Sequence, residues 1–384
     1  MAYIQSAYGR KNKMARNEKC KAIEEAIQQF ALEGIVESYE PYGSGHINDT
    51  YRVTCRLEDG SVKYYILQRM NKEIFTKPVE LMENVVNVTS YLRKIIIEKG
   101  GDPERETLNI ILTKDGKNFY VDSIGEYWRV YVFIEDAFSY DAVEKPEDFY
   151  ASALAFGDFQ SLLADYPAET LHETIEGFHD TKKRFARFKE VLAADVMGRA
   201  ASVQKEIQFV LDHEETANVL GDLQAAGELP LRVTHNDTKL NNIMIDKATG
   251  KGLCVIDLDT VMPGLAINDF GDSIRFGAST AAEDEVDLDK VTCSMDLFDI
   301  YTKGFIEGCK GSLTAKEIEM LPMGAKVMTY ECGMRFLTDY LEGDVYFKIH
   351  RENHNLDRAR TQFKLVADME AKWEIMKEIV AKYA

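Results

Sequence analysis

The stretch Val233-Thr-His-Asn-Asp-Thr-Lys-Leu-Asn-Asn-Ile-Met-Ile-Asp246, followed by Cys254-Val-Ile-Asp-Leu-Asp-Thr260, decides the reading of this chain. Its short apolar runs, Val233–Thr234, Ile243–Ile245 and Leu253–Ile256, read as strands around a polar loop and a Gly250-Lys-Gly252 turn. Around this interlude the pattern is helical. Residues 147–164, 180–196 and 200–225 carry amphipathic periodicity before it, and 285–309, 314–341 and 355–383 after it. A polar loop held between buried strands, inside a helical region, is a position from which side chains can do chemistry on a fixed scaffold.

Working outward, the first 135 residues have a different character. Thr50–Leu57 and Lys63–Arg69 read as two strands joined by the hairpin signal Asp59-Gly60. One helix is predicted over 78–98, with Leu81, Val85, Val88 and Leu92 on a single stripe. Strands around Leu108–Leu112 and Glu126–Ile134 follow. A further helix starts near Asn17, where Ile23, Ala26, Ile27, Phe30 and Ala31 recur at helical spacing. The class is α+β, with a small β-rich lobe over 1–135 and a larger helical lobe over 136–384.

Three side chains of the interlude fit phosphoryl transfer. Asp237 and Asn242 lie five apart in one loop, and Asp257 ends an apolar strand twenty residues after Asp237. The reaction needs a carboxylate to orient the attacking hydroxyl and take its proton, and oxygen ligands to hold Mg²⁺ on the nucleotide phosphates. Asp237 is the candidate base, and Asn242 and Asp257 are the candidate metal ligands. Lys239 is placed to offset charge on the migrating group. Asp259 points to the same strand face as Asp257 by period 2. It would then touch a second metal or the substrate. Asp269-Phe-Gly271 lies 32 residues after Asp237 with no apolar strand before it, so it reads as a helix start and a brace rather than a metal site.

HNDTKLNN (235–242) fits the pattern H-x-D-x-x-x-x-N. With IDLD (256–259) it resembles the catalytic segments of the aminoglycoside phosphotransferase and choline kinase superfamily, which has a two-lobed, protein-kinase-like fold. GSGHINDTYRV (43–53), YILQRMN (65–71), THNDTKLNN (234–242) and IDLDTVMPG (256–264) together resemble the N-acetylhexosamine 1-kinases. The resemblance implies transfer of phosphate from ATP, with Mg²⁺, to the anomeric hydroxyl of N-acetylglucosamine or N-acetylgalactosamine. It implies a nucleotide-binding first lobe and a catalytic, acceptor-binding second lobe. His235 would brace the loop.

In the first lobe Gly43, Ser44 and Gly45 resemble a nucleotide loop, though an ordinary hairpin turn has the same composition. His46, Asn48 and Asp49 cluster beside it and suit a sugar hydroxyl as well as phosphates. Kinases carry a phosphate-holding lysine on the third strand; here alternation puts the uncharged Gln68 at that place. The segment from Trp128 to Asp136 is either a plain edge strand or a hinge whose backbone, at Phe133 and Glu135, contacts adenine. Arg335, inside an apolar helix, either pairs with Glu331 or Asp339 or, with Tyr346, closes over the sugar as the resemblance implies. Other acceptors on the same fold (choline, homoserine, an aminoglycoside) remain alternatives, as does a catalytically silent binding module.

The 384 residues carry 46 Lys plus Arg against 65 Asp plus Glu, a formal charge of −19. Such a surface excludes general coating of nucleic acid. No apolar run approaches the roughly 20 residues of a membrane span. The basic N-terminal residues lack an apolar segment after them and do not read as a secretory signal. Six cysteines occur without metal-ligand or disulfide spacing, as in a reducing compartment. The expected partners are thus a nucleotide and a small-molecule sugar, with no nucleic acid and no membrane. The expected state is a cytoplasmic monomer.

Overall fold

A computed structural model describes residues 19–43, 47–140, 143 and 145–384. The chain divides into two compact units, with the break between Glu135 and Asp136.

The first unit begins with helix α1 over 19–29. It continues through β1 (Ile35–Pro41), β2 (Asp49–Arg56), β3 (Val62–Met70), helix α2 (Pro78–Glu98), β4 (Ile110–Ile111), β5 (Tyr120–Val121) and β6 (Tyr127–Val132). The strands form one antiparallel sheet in the order β1-β2-β3-β6-β4, with β5 also on β6. Period-2 alternation sends Tyr65 and Leu67 of β3, Val53 of β2, and Trp128 and Val130 of β6 to one face. There they pack with Ile23, Ala26, Ile27 and Phe30 of α1. Burying side chains of this size stabilises by about 1.5–3 kcal/mol each. Gly34, with φ of +85°, turns the chain from α1 into β1; a Cβ there would meet the Arg56 carbonyl oxygen at 2.4 Å. The strand β1 was not legible in the sequence. Ile35 is 76% exposed at its start, and an edge strand that buries little has no apolar alternation to read.

The second unit runs β7 (Ala137–Phe138), α3 (Pro146–Leu162), α4 (Thr181–Ala194), α5 (Gln204–Asp212), α6 (Glu214–Ala225), β8 (Arg232–Thr234), β9 (Ile243–Asp246), β10 (Gly252–Val255) and β11 (Met262–Gly264). Then come α7 (Ala266–Gly277), α8 (Met295–Cys309), α9 (Ala315–Glu319), α10 (Leu321–Glu342), α11 (His354–Ala371) and α12 (Trp373–Tyr383). The strands form two small antiparallel ladders, β10-β9-β7 and β11-β8. Among the described residues, one apolar core of the helices lies around Phe270, Phe298, Tyr301 and Phe305, and another around Phe185, Tyr330, Met334 and Phe363. Helices α7 and α10 meet at backbone distance. A Cβ on Gly271 would lie 2.3 Å from the Gly324 carbonyl oxygen, and one on Gly324 would lie 2.4 Å from that of Ile267. This close approach brings the residues of α7 that hold the interlude loop against the helix bearing Glu331 and Arg335.

Three of the helices read as continuous are divided. The stretch 200–225 breaks at His213, 314–341 at Met320 and 355–383 at Lys372, because apolar periodicity continues across each short turn. Helix α8 begins at Met295 rather than at 285; its N-cap is Ser294, whose side chain accepts from the Leu297 N–H. No helix among the described residues is long and apolar enough to cross a membrane.

Candidate active site

The loop between β8 and β9 is held from below by one aspartate. Asp269, in the first turn of α7, is 1% exposed. Its Oδ2 accepts from the backbone N–H of His235 at 2.9 Å and from Gln160 Nε2 at 2.8 Å, and its Oδ1 accepts from the Asn236 N–H at 2.8 Å. Burial raises the Asp269 carboxyl pKa against the lowering pull of those donors. The Thr238 hydroxyl donates to the Asp269 carbonyl at 2.6 Å, and Ser273 donates to the Thr238 carbonyl at 2.8 Å. Asp269 therefore has all its near partners in the loop and α3, as a brace has. Asn236 takes a left-handed backbone, φ 64°, which its short polar side chain tolerates; its Nδ2 donates to the carbonyls of Thr234 and Thr260.

His235 is fully buried with its ring edge-on to Phe156 and Phe159. Its Nε2 lies 2.9 Å from the Ile256 carbonyl, and its Nδ1 accepts from the Asp237 N–H at 3.3 Å. Both ring nitrogens are thus engaged with backbone, which leaves neither to act on a substrate.

Asp237 stands at the top of this support. Its Oδ1 is 2.7 Å from Lys239 Nζ, and its Oδ2 accepts from Asn242 Nδ2 at 3.1 Å. Asn242 Nδ2 also donates to the Asp237 carbonyl at 2.8 Å. With its nitrogen used in this way, the Asn242 amide keeps its oxygen apart from the Asp237 carboxylate. The Ile256 N–H donates to the Asn242 carbonyl at 2.9 Å, which fixes Asp257 beside the loop. Burial lowers the Lys239 pKa, but the carboxylates of Asp237 and Asp272 outweigh it and hold the ammonium above its usual value.

Asp257 has a left-handed backbone, φ 58°, and is exposed. The chain then enters a 3₁₀ turn over Leu258–Thr260, and Asp259 is buried. The expectation that Asp259 shares a face with Asp257 is corrected here: the strand ends at Val255, so period-2 alternation no longer applies. No group of three or more His, Cys, Asp or Glu that could hold a metal ion occurs among the described residues. Asp257 and Asn242 would offer a carboxylate and an amide oxygen to a Mg²⁺ ion, the hard oxygen donors that such an ion takes.

A cavity of about 470 Å³ lies in the same unit. Its lining includes Phe178, Arg184, Arg335, Asp339, Tyr346 and Phe347. It is two side chains from the loop: His179 Nε2 lies 3.4 Å from the Asn236 carbonyl, and His179 Nδ1 lies 3.0 Å from Glu331 Oε1, one helical turn before Arg335. Glu331 also accepts from the Thr181 hydroxyl at 2.6 Å and sits 3.4 Å from Arg184 Nε. Burial raises the Glu331 pKa, yet His179, Arg184 and Arg335 together hold it down to about 2. The carboxylate of Asp339 accepts from the N–H groups of Val345, Tyr346 and Phe347 and from Asn355 Nδ2, which shapes the loop carrying Tyr346. Neither Glu331 nor Asp339 forms the salt bridge with Arg335 that stood as the structural alternative. The Arg335 guanidinium instead stacks over the rings of Tyr346 and Phe347, at 5.8 and 5.3 Å, facing the cavity.

In the first unit, Ser44, Gly45 and His46 lie outside the described residues. Gly43 has φ +79°, as a tight turn requires. Asn48 Oδ1 accepts from the Asn71 N–H at 3.0 Å. Asp49 is bound by Arg69, Nη2 to Oδ2 at 2.6 Å, and Arg69 also reaches Glu126 at 2.9 Å. These bonds tie Asn48 and Asp49 into the sheet and occupy Arg69. The Phe133 ring packs edge-on to Tyr42 and Tyr64, and the Glu135 carbonyl accepts from Arg105 Nη2 at 3.1 Å. Gln68 is half-buried on the sheet face opposite the α1 core. Its Oε1 accepts two bonds from Arg129, a partner that sequence reasoning placed only in the hinge segment.

A family model described as APH, phosphotransferase enzyme family, matches residues 38–292, about two-thirds of the chain. Arg335 and Tyr346 fall beyond the matched span. Solved structures share the fold. An aminoglycoside phosphotransferase from Alicyclobacillus acidocaldarius matches with a TM-score of 0.60 at 11% identity, covering 94% of this chain and 96% of its own. A microcompartment-associated aminopropanol kinase matches at 0.55 and 14%, covering 93% and 98%. A choline kinase from Cryptosporidium parvum matches at 0.53 and 15%, covering 89% and 91%.

Proposed function

We propose a function on the premise that this chain belongs to the phosphotransferase enzyme family: it transfers the γ-phosphoryl group of ATP to the anomeric hydroxyl of an N-acetylhexosamine, giving the sugar 1-phosphate. The observation that carries the choice of acceptor is Arg335. Its half-buried guanidinium makes no salt bridge among the described residues, acts on Glu331 only at longer range, and faces a cavity with two aromatic rings beneath it. Of the carboxylates lining that cavity, Asp339 is engaged by backbone donors and Glu342 by Arg187. Arg187 is balanced by Glu342 and Arg184 by Glu331, so an acceptor bearing ammonium groups would meet the unbridged Arg335 with only the exposed Glu176 not already engaged. An uncharged sugar is recognised instead by fixed hydrogen-bond donors and by ring stacking, which a guanidinium fork and Tyr346 supply.

In this reading Asp237 accepts a hydrogen bond from the anomeric hydroxyl and aims its oxygen at the γ-phosphorus. The oxygen–phosphorus bond forms as the bridging bond to the β-phosphate breaks. The hydroxyl proton passes to Asp237, and ADP departs. An anomeric hydroxyl is more acidic than an ordinary alcohol, so a carboxylate base suffices. Lys239 steadies the Asp237 carboxylate and offsets charge on the transferred group. Asn242 and Asp257 would hold Mg²⁺, which when bound neutralises the phosphate oxygens. Gly43, Ser44, Gly45, Gln68, Phe133 and Glu135 are the nucleotide candidates of the first unit, and His46, Asn48, Asp49, Arg335 and Tyr346 the acceptor candidates.

The test is a transfer screen with ATP and Mg²⁺ against N-acetylglucosamine, N-acetylgalactosamine, choline and kanamycin. Product on the acetylated sugars is expected. Product only on the amine-bearing acceptors would overturn the assignment.

A further inference from the structure

The strand lysine that holds the nucleotide phosphates in kinases has no counterpart on β3, which presents Gln68 there. The row of side chains through Gln68 shows what stands in its place. Thr50 on β2 and Arg129 on β6 are both register partners of Gln68. All three lie on the face opposite the one where Tyr65, Leu67, Trp128 and Val130 meet α1. Arg129 is 1% exposed. Its Nε and Nη2 both donate to Gln68 Oε1, at 3.1 and 2.9 Å, while its guanidinium lies over the Tyr131 ring and its Nη1 is 3.8 Å from Met82 Sδ of α2.

That fork leaves the amide one orientation. The reverse flip would press the NH₂ group against the guanidinium, donor against donor. Nε2 therefore points away from Arg129 and donates one N–H to the Thr50 hydroxyl at 3.1 Å. Its second N–H has no acceptor among the described residues, and Gln68 is the more exposed end of the pair. Thr50 in turn adjoins the glycine turn: the Tyr42 N–H donates to the Thr50 carbonyl at 3.0 Å, next to Gly43. An N–H held in one orientation beside a glycine turn has the chemistry of an anion contact.

We propose that Gln68 and Arg129 together form the phosphate anchor of the nucleotide, with Gln68 donating to a phosphate oxygen and Arg129 a positioning residue that fixes the orientation of the amide. This rests on the reading of the chain as an ATP-dependent kinase.

Calorimetric binding of ATP and of adenosine, each with Mg²⁺, tests it on the whole chain. In Gln68→Glu the new carboxylate pairs with Arg129 where the amide oxygen was, so the fold is kept, but the N–H donors are lost. ATP affinity is expected to fall at least tenfold while adenosine affinity is unchanged. Arg129→Gln, which keeps a neutral pair, is expected to lower ATP affinity in the same selective way. If the unsubstituted protein binds ATP and both folded variants bind it within twofold of that value, the anchor is wrong and the kinase reading stands. If Gln68→Glu does not fold, Arg129→Gln decides alone by the same criterion, and equal losses for ATP and adenosine in it would make the pair merely structural. If the unsubstituted protein binds neither ligand, the kinase reading itself fails.

Discussion

Two residues carry most of the chemistry assigned to this molecule, and each makes a separable claim. Asp237 has one oxygen on Lys239 and the other on Asn242, so replacing it with Asn keeps its shape and removes the proton acceptor; the new NH₂ displaces Lys239, whose part-exposed ammonium can turn to solvent. Asp237→Asn is expected to retain its melting temperature and its ATP affinity and to lose about 10²–10⁴-fold in kcat; near-normal kcat would remove the base role. Arg335 has aromatic stacking and no salt bridge among the described residues. Arg335→Ala is therefore expected to raise KM for the sugar by roughly ten- to hundredfold, the worth of a hydrogen bond from a charged donor, with KM for ATP unchanged. An unchanged sugar KM with a lowered melting temperature would return Arg335 to a structural part. Of these two, the sequence made Asp237 legible because its partners lie within five residues of it. The freedom of Arg335 was not legible, because it depends on where Glu331 and Asp339 find their other partners, up to 152 residues away.

At the scale of elements, the interlude loop is positioned by the first turn of α7 and by the start of α10, packed together at Gly271 and Gly324. Asp269 and Asp257 are both aspartates after the loop, but they do different things. Asp269→Ala leaves the buried N–H groups of His235 and Asn236 without acceptors, at a cost of about 1–3 kcal/mol each; a clear drop in melting temperature is expected. Asp257→Asn, which suits the left-handed exposed turn, is expected to melt normally and to need more Mg²⁺ for half-maximal activity. Finding the two effects exchanged would show that the metal ligand is Asp269. Glu331 gives α10 a pH signature. Its folded pKa, about 2, lies below the ordinary 4.5 because His179, Arg184 and Arg335 outweigh its burial. A depressed carboxyl contributes stability that is complete above its unfolded pKa and disappears as pH falls through its folded one. The melting-temperature gap between the unsubstituted protein and Glu331→Gln is therefore expected to be widest near pH 6 and to narrow below about pH 4.5. A gap that stays constant down to pH 3 would contradict this. The helix patterns themselves were legible from apolar spacing, while their breaks at His213, Met320 and Lys372 were not, since periodicity runs through them.

For the whole molecule, the formal charge of −19 describes the surface and misleads about the cavity. An acidic chain invites a cationic acceptor, yet the cavity presents Arg335 outside any salt bridge among the described residues, while its carboxylates Asp339 and Glu342 are already engaged. Composition could not reveal this, because it averages over positions that the fold separates. The α+β class and the loop chemistry were readable because each rests on local spacing. The Gln68–Arg129 pair was not, because it joins strands 61 residues apart. The central claim is that this phosphotransferase acts on an anomeric hydroxyl with Asp237 as its base, and phosphorus NMR of the reaction product tests it most directly. Incubation with ATP, Mg²⁺ and N-acetylglucosamine or N-acetylgalactosamine should yield a new phosphate resonance coupled to the anomeric proton, absent with Asp237→Asn. A phosphate coupled to a proton on any other sugar carbon, or the same product from the Asn variant at the normal rate, would contradict the account.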